Sequence, residues 1–243
     1  NLVFSHSLTG FDGAVNSVAT RNGVLAVAAQ SADKTQPGSV FFFDTLQTKE
    51  LNRLQVGALP DMVTFSPDGR WVLTANEGEP NDDYTIDPEG SVSIIDVGDL
   101  SYASIVNLGQ SAVRTLGFGA LDVFPFMRDI LNENNVRIFG EIQDENGDFL
   151  RYSKVSEDLE PEYIAVSADS KTAYITLQEN NALAILDIET GEYTDIVSFG
   201  LKDYSKPGNA LDPSDRDGGI NIASWPVFGM YMPDAIATFT ADG

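Results

Sequence analysis

The segment Ala75-Asn-Glu-Gly-Glu-Pro-Asn-Asp-Asp-Tyr-Thr-Ile-Asp-Pro-Glu-Gly90 concentrates carboxylates and amide oxygens between glycines and prolines. Residues 71–113 hold eight acidic side chains and no lysine or arginine. Carboxylates at that density repel one another unless water solvates them or a cation bridges them. Calcium takes about six to eight oxygens from carboxylates, amide and backbone carbonyls and water. Glu77, Glu79, Asn81, Asp82, Asp83, Asp87 and Glu89 are a matching supply. The segment therefore reads as a calcium site or, without an ion, as a solvated acidic loop. Another divalent metal would also suit oxygen ligands.

Further acids stand in comparable places. Leu177-Gln-Glu-Asn-Asn181 follows a second apolar run, so Glu179 is expected to match Glu77. With Glu160 and Glu162 these two could line one acidic pocket; hairpin capping is the equal alternative. In Asp212-Pro-Ser-Asp-Arg-Asp-Gly-Gly-Ile-Asn221, Asp215 and Asp217 resemble half of an EF-hand loop, but Ser224 stands where the closing glutamate belongs. Asp144-Glu-Asn-Gly-Asp148 also lacks that glutamate and reads as a hairpin turn. Arg216 reads first as a salt-bridge partner of its acidic neighbours and second as a phosphate ligand.

Other chemistries are excluded by composition. There is no cysteine, which removes disulfides and thiolate sites, and the one histidine, His6, reads as a surface residue at a strand edge. No phosphate-cradling glycine loop, dinucleotide fingerprint or HExxH motif occurs. The net charge of −23, from 37 acidic and 14 basic residues, opposes binding to nucleic acid or an anionic membrane and favours cations. No apolar run is long enough for a membrane span.

Placing these residues requires a scaffold, and the scaffold repeats. Asn16-Ser-Val-Ala-Thr-Arg-Asn-Gly23, Asp61-Met-Val-Thr-Phe-Ser-Pro-Asp-Gly69, Glu162-Tyr-Ile-Ala-Val-Ser-Ala-Asp-Ser170 and Asp234-Ala-Ile-Ala-Thr-Phe-Thr-Ala-Asp-Gly243 each join a polar residue, a short alternating strand and a turn. Second strands are expected at 24–29, 71–75 and 173–177, and third strands at 39–44, 91–97 and 182–188. Fourth strands are expected at 50–56, 103–108 and 193–199. Four antiparallel strands per repeat, with the first two copies 45 residues apart, predict an all-β fold, a β-propeller of the YVTN/WD40-like kind. A β-sandwich is the runner-up. The repeats lie near 15–60, 61–110, 159–203 and 234–243 of one domain spanning 1–243. Insertions at 111–158, with a short helix around 125–134, and at 203–233 interrupt them. Three full copies and a partial one cover only part of a ring, so the chain reads as a segment of a larger domain. Trp225-Pro-Val-Phe-Gly-Met-Tyr-Met-Pro-Asp234 is expected to plug against the core.

Several phrases resemble the choice-of-anchor I domain: Val56 to Gly69, Ala75 to Gly90, Leu159-Glu-Pro-Glu-Tyr163, Leu177 to Asn181, Ser214 to Asn221 and Trp225 to Ala237. That family includes bacterial proteins described as alkaline phosphatases and the mesenchyme-specific cell-surface glycoproteins of biomineralising animals. The resemblance implies a YVTN-type propeller, secreted and held at the cell surface, with further sequence at both ends. Two functions follow as expectations. One is an extracellular calcium-binding module that meets mineral, polysaccharide or a surface protein. The other is a metal-dependent phosphatase acting on a phosphoester, with Glu77, Glu79, Glu162 and Glu179 as metal ligands and Arg216 as an oxygen clamp.

Overall fold

A computed structural model describes residues 9–241. His6 lies outside the described residues. Three consecutive four-stranded antiparallel sheets form the body. The first holds β1 (Val15–Arg21), β2 (Val24–Ala29), β3 (Pro37–Asp44) and β4 (Lys49–Ala58). The second holds β5 (Pro60–Phe65), β6 (Trp71–Asn76), β7 (Ser91–Asp96) and β8 (Val113–Gly117). A two-stranded hairpin, β9 (Glu141–Gln143) and β10 (Phe149–Tyr152), precedes the third sheet of β11 (Pro161–Val166), β12 (Thr172–Leu177), β13 (Ala182–Asp187) and β14 (Glu192–Ser198). A second hairpin pairs β15 (Leu201–Asp203) with β16 (Phe228–Met230). Within each large sheet the strands run in chain order, and β5 contacts both β1 and β11. This is the blade arrangement of a β-propeller, with the first strand of each blade innermost and no closed ring.

Apolar alternation decides how the blades stack. Val72 and Ile95 pack with Val24, Val40, Phe42 and Leu54 of the first blade. Their neighbours Leu73 and Ile94 pack with Ile164, Ile175 and Leu186 of the third. The second blade is therefore covered on both faces, and every residue of β6 is buried. In the second and third blades the first turn is held by a serine side chain. Ser66 Oγ donates to Asp68 and accepts the Trp71 amide, and Ser167 does the same with Asp169 and Thr172.

Three expectations need correction. The fourth strand of the second blade is β8, not 103–108. That stretch is α1 (Tyr102–Val106), capped by Ser101, which accepts the Ser104 amide at 3.1 Å. The fourth copy of the repeat takes no strand over 234–241, where no second strand pairs with it. Thr238 Oγ1 instead donates to the Val166 carbonyl at 2.8 Å. The Trp225 segment does not plug the core: Val227, Phe228, Met230 and Tyr231 are exposed, and Trp225 Nε1 donates to the Leu211 carbonyl.

The first insertion packs over one end of the blades. It contains α2 (Met127–Glu133), the β9–β10 hairpin and α3 (Val155–Asp158). Arg128 ties it together, donating to the carbonyls of Ile138 and Ser153. Glu157, buried, receives both guanidinium nitrogens of Arg151 and the Lys154 amide.

Candidate metal centre at a blade junction

The same backbone irregularity occurs at the start of every inner strand. The β1–β2, β5–β6 and β11–β12 registers each slip at the second residue of the first strand, which places Asn16, Asp61 and Glu162 on bulges. A bulge inserts one residue and re-aims its side chain. The position just after each second strand is also equivalent. Pro60 pairs with Asn76 and Pro161 with Leu177, so Glu77 corresponds to Gln178. Val15 pairs with Ala29, so the first blade supplies Gln30 there. The expected match of Glu77 with Glu179 is therefore one residue out of register.

At the second junction these positions bring three carboxylates together. Asp61, Glu77 and Glu162, all half-buried, each offer an oxygen within 4.8 Å of the others. None has a salt-bridge partner among the described residues. Burial, a hydrogen bond to Glu162 and the charges of Glu162, Asp61 and Glu79 push Glu77 far above the usual carboxylate range. Burial and the charges of Glu162 and Glu79 also raise Asp61. Two carboxylates can hydrogen-bond only through a proton, so this cluster must hold either a proton or a cation. Three converging hard oxygens, with no sulfur or nitrogen ligand, match the donor chemistry of calcium and similar divalent ions.

The neighbouring junctions solve the same problem with amides. Asn16 Nδ2 donates to Gln30 Oε1 and to the Pro60 carbonyl, both at 3.2 Å. Gln178 Nε2 donates to Asp234 Oδ1, so the polar residue that opens the fourth repeat sits where Glu162 sits for Glu77.

The long loop after Glu77 is held at both ends. Gly78 has φ 70° and lies where a side chain would meet the Glu89 carbonyl; Gly90 lies against the Leu159 carbonyl. Asn81 organises the middle: its Oδ1 accepts the amides of Thr85 and Ile86. Asp82, Asp83 and Glu89 are exposed and do not converge with Glu77. Asp87 accepts the Ser153 hydroxyl at 2.6 Å, and burial pushes its carboxyl up to about 6. Glu79 is held by Lys34 Nζ at 2.9 Å. Glu179 lies 3.7 Å from Arg137 Nη1. Burial and the charges of Asp158 and Glu79 push Glu160 up to about 8. Asp215 and Asp217 are exposed in the second insertion, and Arg216 pairs there with Asp215.

Of the expected ligands, the structure joins Glu77 and Glu162. Asp61 was visible only as the polar residue opening a repeat, and its repeat position was the signal for its place on the ring. Lys34, Arg137 and Asp158 carried no sequence signal.

The sequence matches the family described as Choice-of-anchor I domain over residues 1–243. No curated protein sequence matches. The structure is similar to the β-propeller domain of Myceliophteria thermophila Cps50 (Swd1) at 9% identity and a TM-score of 0.44, covering 78% of this chain and 42% of that one. It is also similar to the β-propeller domain of the Trilobed protease from Pyrococcus furiosus, at 10% identity and a TM-score of 0.40, covering 77% and 44%. The chain thus spans less than half the length of either. No helix among the described residues is long and apolar enough to cross a membrane.

Proposed function

The chain belongs to the choice-of-anchor I domain family, a membership that suggests a surface-associated module, and on that premise we propose that it is a secreted β-propeller that binds a divalent cation, calcium first, where its second and third blades meet. The observation that carries this reading is the convergence of Asp61, Glu77 and Glu162 at a place where the adjoining junctions use amides. A cation there would replace the shared proton, neutralise the mutual repulsion and bridge β5, the loop after β6, and β11. Water would complete its coordination. The ion would fasten two blades together, and the acidic face would meet mineral, polysaccharide or a neighbouring surface protein. No observation favours the phosphatase reading over this one. Phosphoryl transfer needs cations aimed at phosphoryl oxygens, while Lys34 and Arg137 are each engaged by a glutamate and Arg216 lies in the other insertion.

Calorimetric titration of calcium into the whole chain, beside Glu77→Gln, tests the reading. A stoichiometric site in the parent that disappears in the variant is expected. Equal binding by both proteins would overturn it.

A further inference from the structure

Two neighbouring asparagines in the turn at 178–181, between β12 and β13, are fully buried. A buried amide needs partners for both its nitrogen and its oxygen. Asn180 finds them at two places in and just after the first insertion. Its Nδ2 donates to the carbonyls of Arg137 at 2.9 Å and Asp158 at 2.6 Å, and its Oδ1 accepts the Glu160 amide at 3.1 Å. Arg137 in turn donates its own amide to the Asn180 carbonyl.

Asn181 is divided between the two insertions. Its Nδ2 donates to the Asn135 carbonyl at 3.1 Å, just past α2 in the first insertion. The same nitrogen donates to the Gly200 carbonyl at 2.9 Å, just before β15. Its Oδ1 accepts the Tyr231 amide at 3.0 Å, just after β16. Ser198 runs a parallel link, accepting the Gly200 amide and donating to the same Asn135 carbonyl. The backbone of Asn181 stands at φ 54°, a conformation that asparagine tolerates better than most residues.

We infer that the two insertions open and close as one unit, latched by the Asn181 side chain. If the β15–β16 hairpin swung out alone, Asn181 would keep its bond to Asn135 but leave its oxygen and one N–H buried without partners. That penalty falls on any state with one insertion open, and it vanishes when the turn rotates into water and releases both. Local opening of native proteins proceeds in such cooperative units. The first insertion walls a cavity of about 500 Å³ against the loop after Glu77. The β15–β16 hairpin and its flank carry the exposed Phe228, Met230 and Tyr231. Displacing that apolar segment therefore also loosens the cavity wall. The latch works without calcium.

The test is hydrogen exchange of the whole chain, calcium-free, read by mass spectrometry of its peptides. Asn181→Gly removes the amide and keeps the positive φ without strain. It should speed exchange about tenfold in both 134–139 and 201–231, the effect of losing buried hydrogen bonds, and leave β2 and β6 unchanged. A Cβ on Gly229 would lie 2.5 Å from the Tyr204 ring, so Gly229→Val loosens the hairpin from within. It should speed 134–139 as well. That remote effect should fall below about threefold in the Asn181→Gly background, because the coupling passes through the side chain already removed. Acceleration confined to 201–231 in both variants would overturn the inference. So would an equal remote effect of Gly229→Val with and without the Asn181 side chain.

Discussion

The second and third junctions of the ring place equivalent residues face to face and differ in the chemistry of the residue after the second strand. In both, an acid that opens the following repeat faces the residue just after the preceding second strand. At the third junction that residue is Gln178, whose amide donates to Asp234. At the second it is Glu77, which has no donor to give Glu162 and is left with Asp61 beside it. Replacing one NH₂ by an oxygen turns a self-satisfied contact into one that needs a proton or a cation. Backbone geometry thus makes the position, and the side chain decides whether the contact carries its own donor.

The comparison breaks most sharply if Glu77 is made to resemble its neighbour. Glu77→Gln should abolish the calcium-induced rise in Tm, a loss of about 2.7 kcal/mol at a calcium concentration a hundredfold over Kd. Without calcium the same variant should melt no lower than the parent, because it removes one member of a repelling cluster. A variant that melts lower without calcium and keeps the calcium shift would contradict this.

The reverse exchange should build the absent site. Gln178→Glu sets a second carboxylate against Asp234 and removes the amide that donates to it. Because Asp234 is exposed and Gln178 only half-buried, it should destabilise the calcium-free protein by less than about 1 kcal/mol, the size of an exposed charge contact. Calcium should recover part of that loss in thermal melts. Loss without calcium rescue would show that the backbone position alone does not make a site.

A third effect concerns protons rather than ions. Burial raises Asp158 to about 6 despite its bonds from the amides of Phe139 and Gly140, and burial likewise raises Asp87 to about 6. A carboxyl raised in the folded state stabilises the fold below its ordinary pKa near 3.8, and that stability is lost as pH climbs through 6. Tm without calcium should therefore fall between about pH 4 and pH 7, with Asp158 contributing about 2–3 kcal/mol. Asp158→Asn should flatten the profile. A Tm that rises over this interval would refute the assignment.

The smallest effect is expected farthest away. Asp215→Asn and Asp217→Asn lie in an exposed insertion and should change the calcium response by less than about 0.5 kcal/mol.

How far the sequence discloses all this depends on what each feature rests on. The second strands were legible to within a residue, because Val24–Ala29 and Trp71–Asn76 are apolar runs bounded by Asp/Gly/Asn turns. The strand expected at 103–108 failed because Ile105 and Val106 suggested a strand while Asp99 and Ser101 were building a helix cap. Glu162 and Glu77 were found through acidity and repeat position. Asp61 was not picked out because its approach to Glu77 and Glu162 depends on a bulge, and a bulge is a backbone event with no composition of its own. Asp82 and Asp83, in the densest acidic stretch, lie exposed on a turn organised by Asn81. Density of charge along the chain did not mark where carboxylates converge, whereas recurrence at equivalent strand ends did.

The most direct test is a crystal of the whole chain grown with a calcium-mimicking lanthanide and measured for anomalous scattering. The structure leads us to expect one strong peak about 2.3–2.6 Å from a carboxylate oxygen of each of Asp61, Glu77 and Glu162, and none beside Gln178. A peak confined to Asp82, Asp83 or Glu89, or no peak while the three carboxylates stay together, would contradict it.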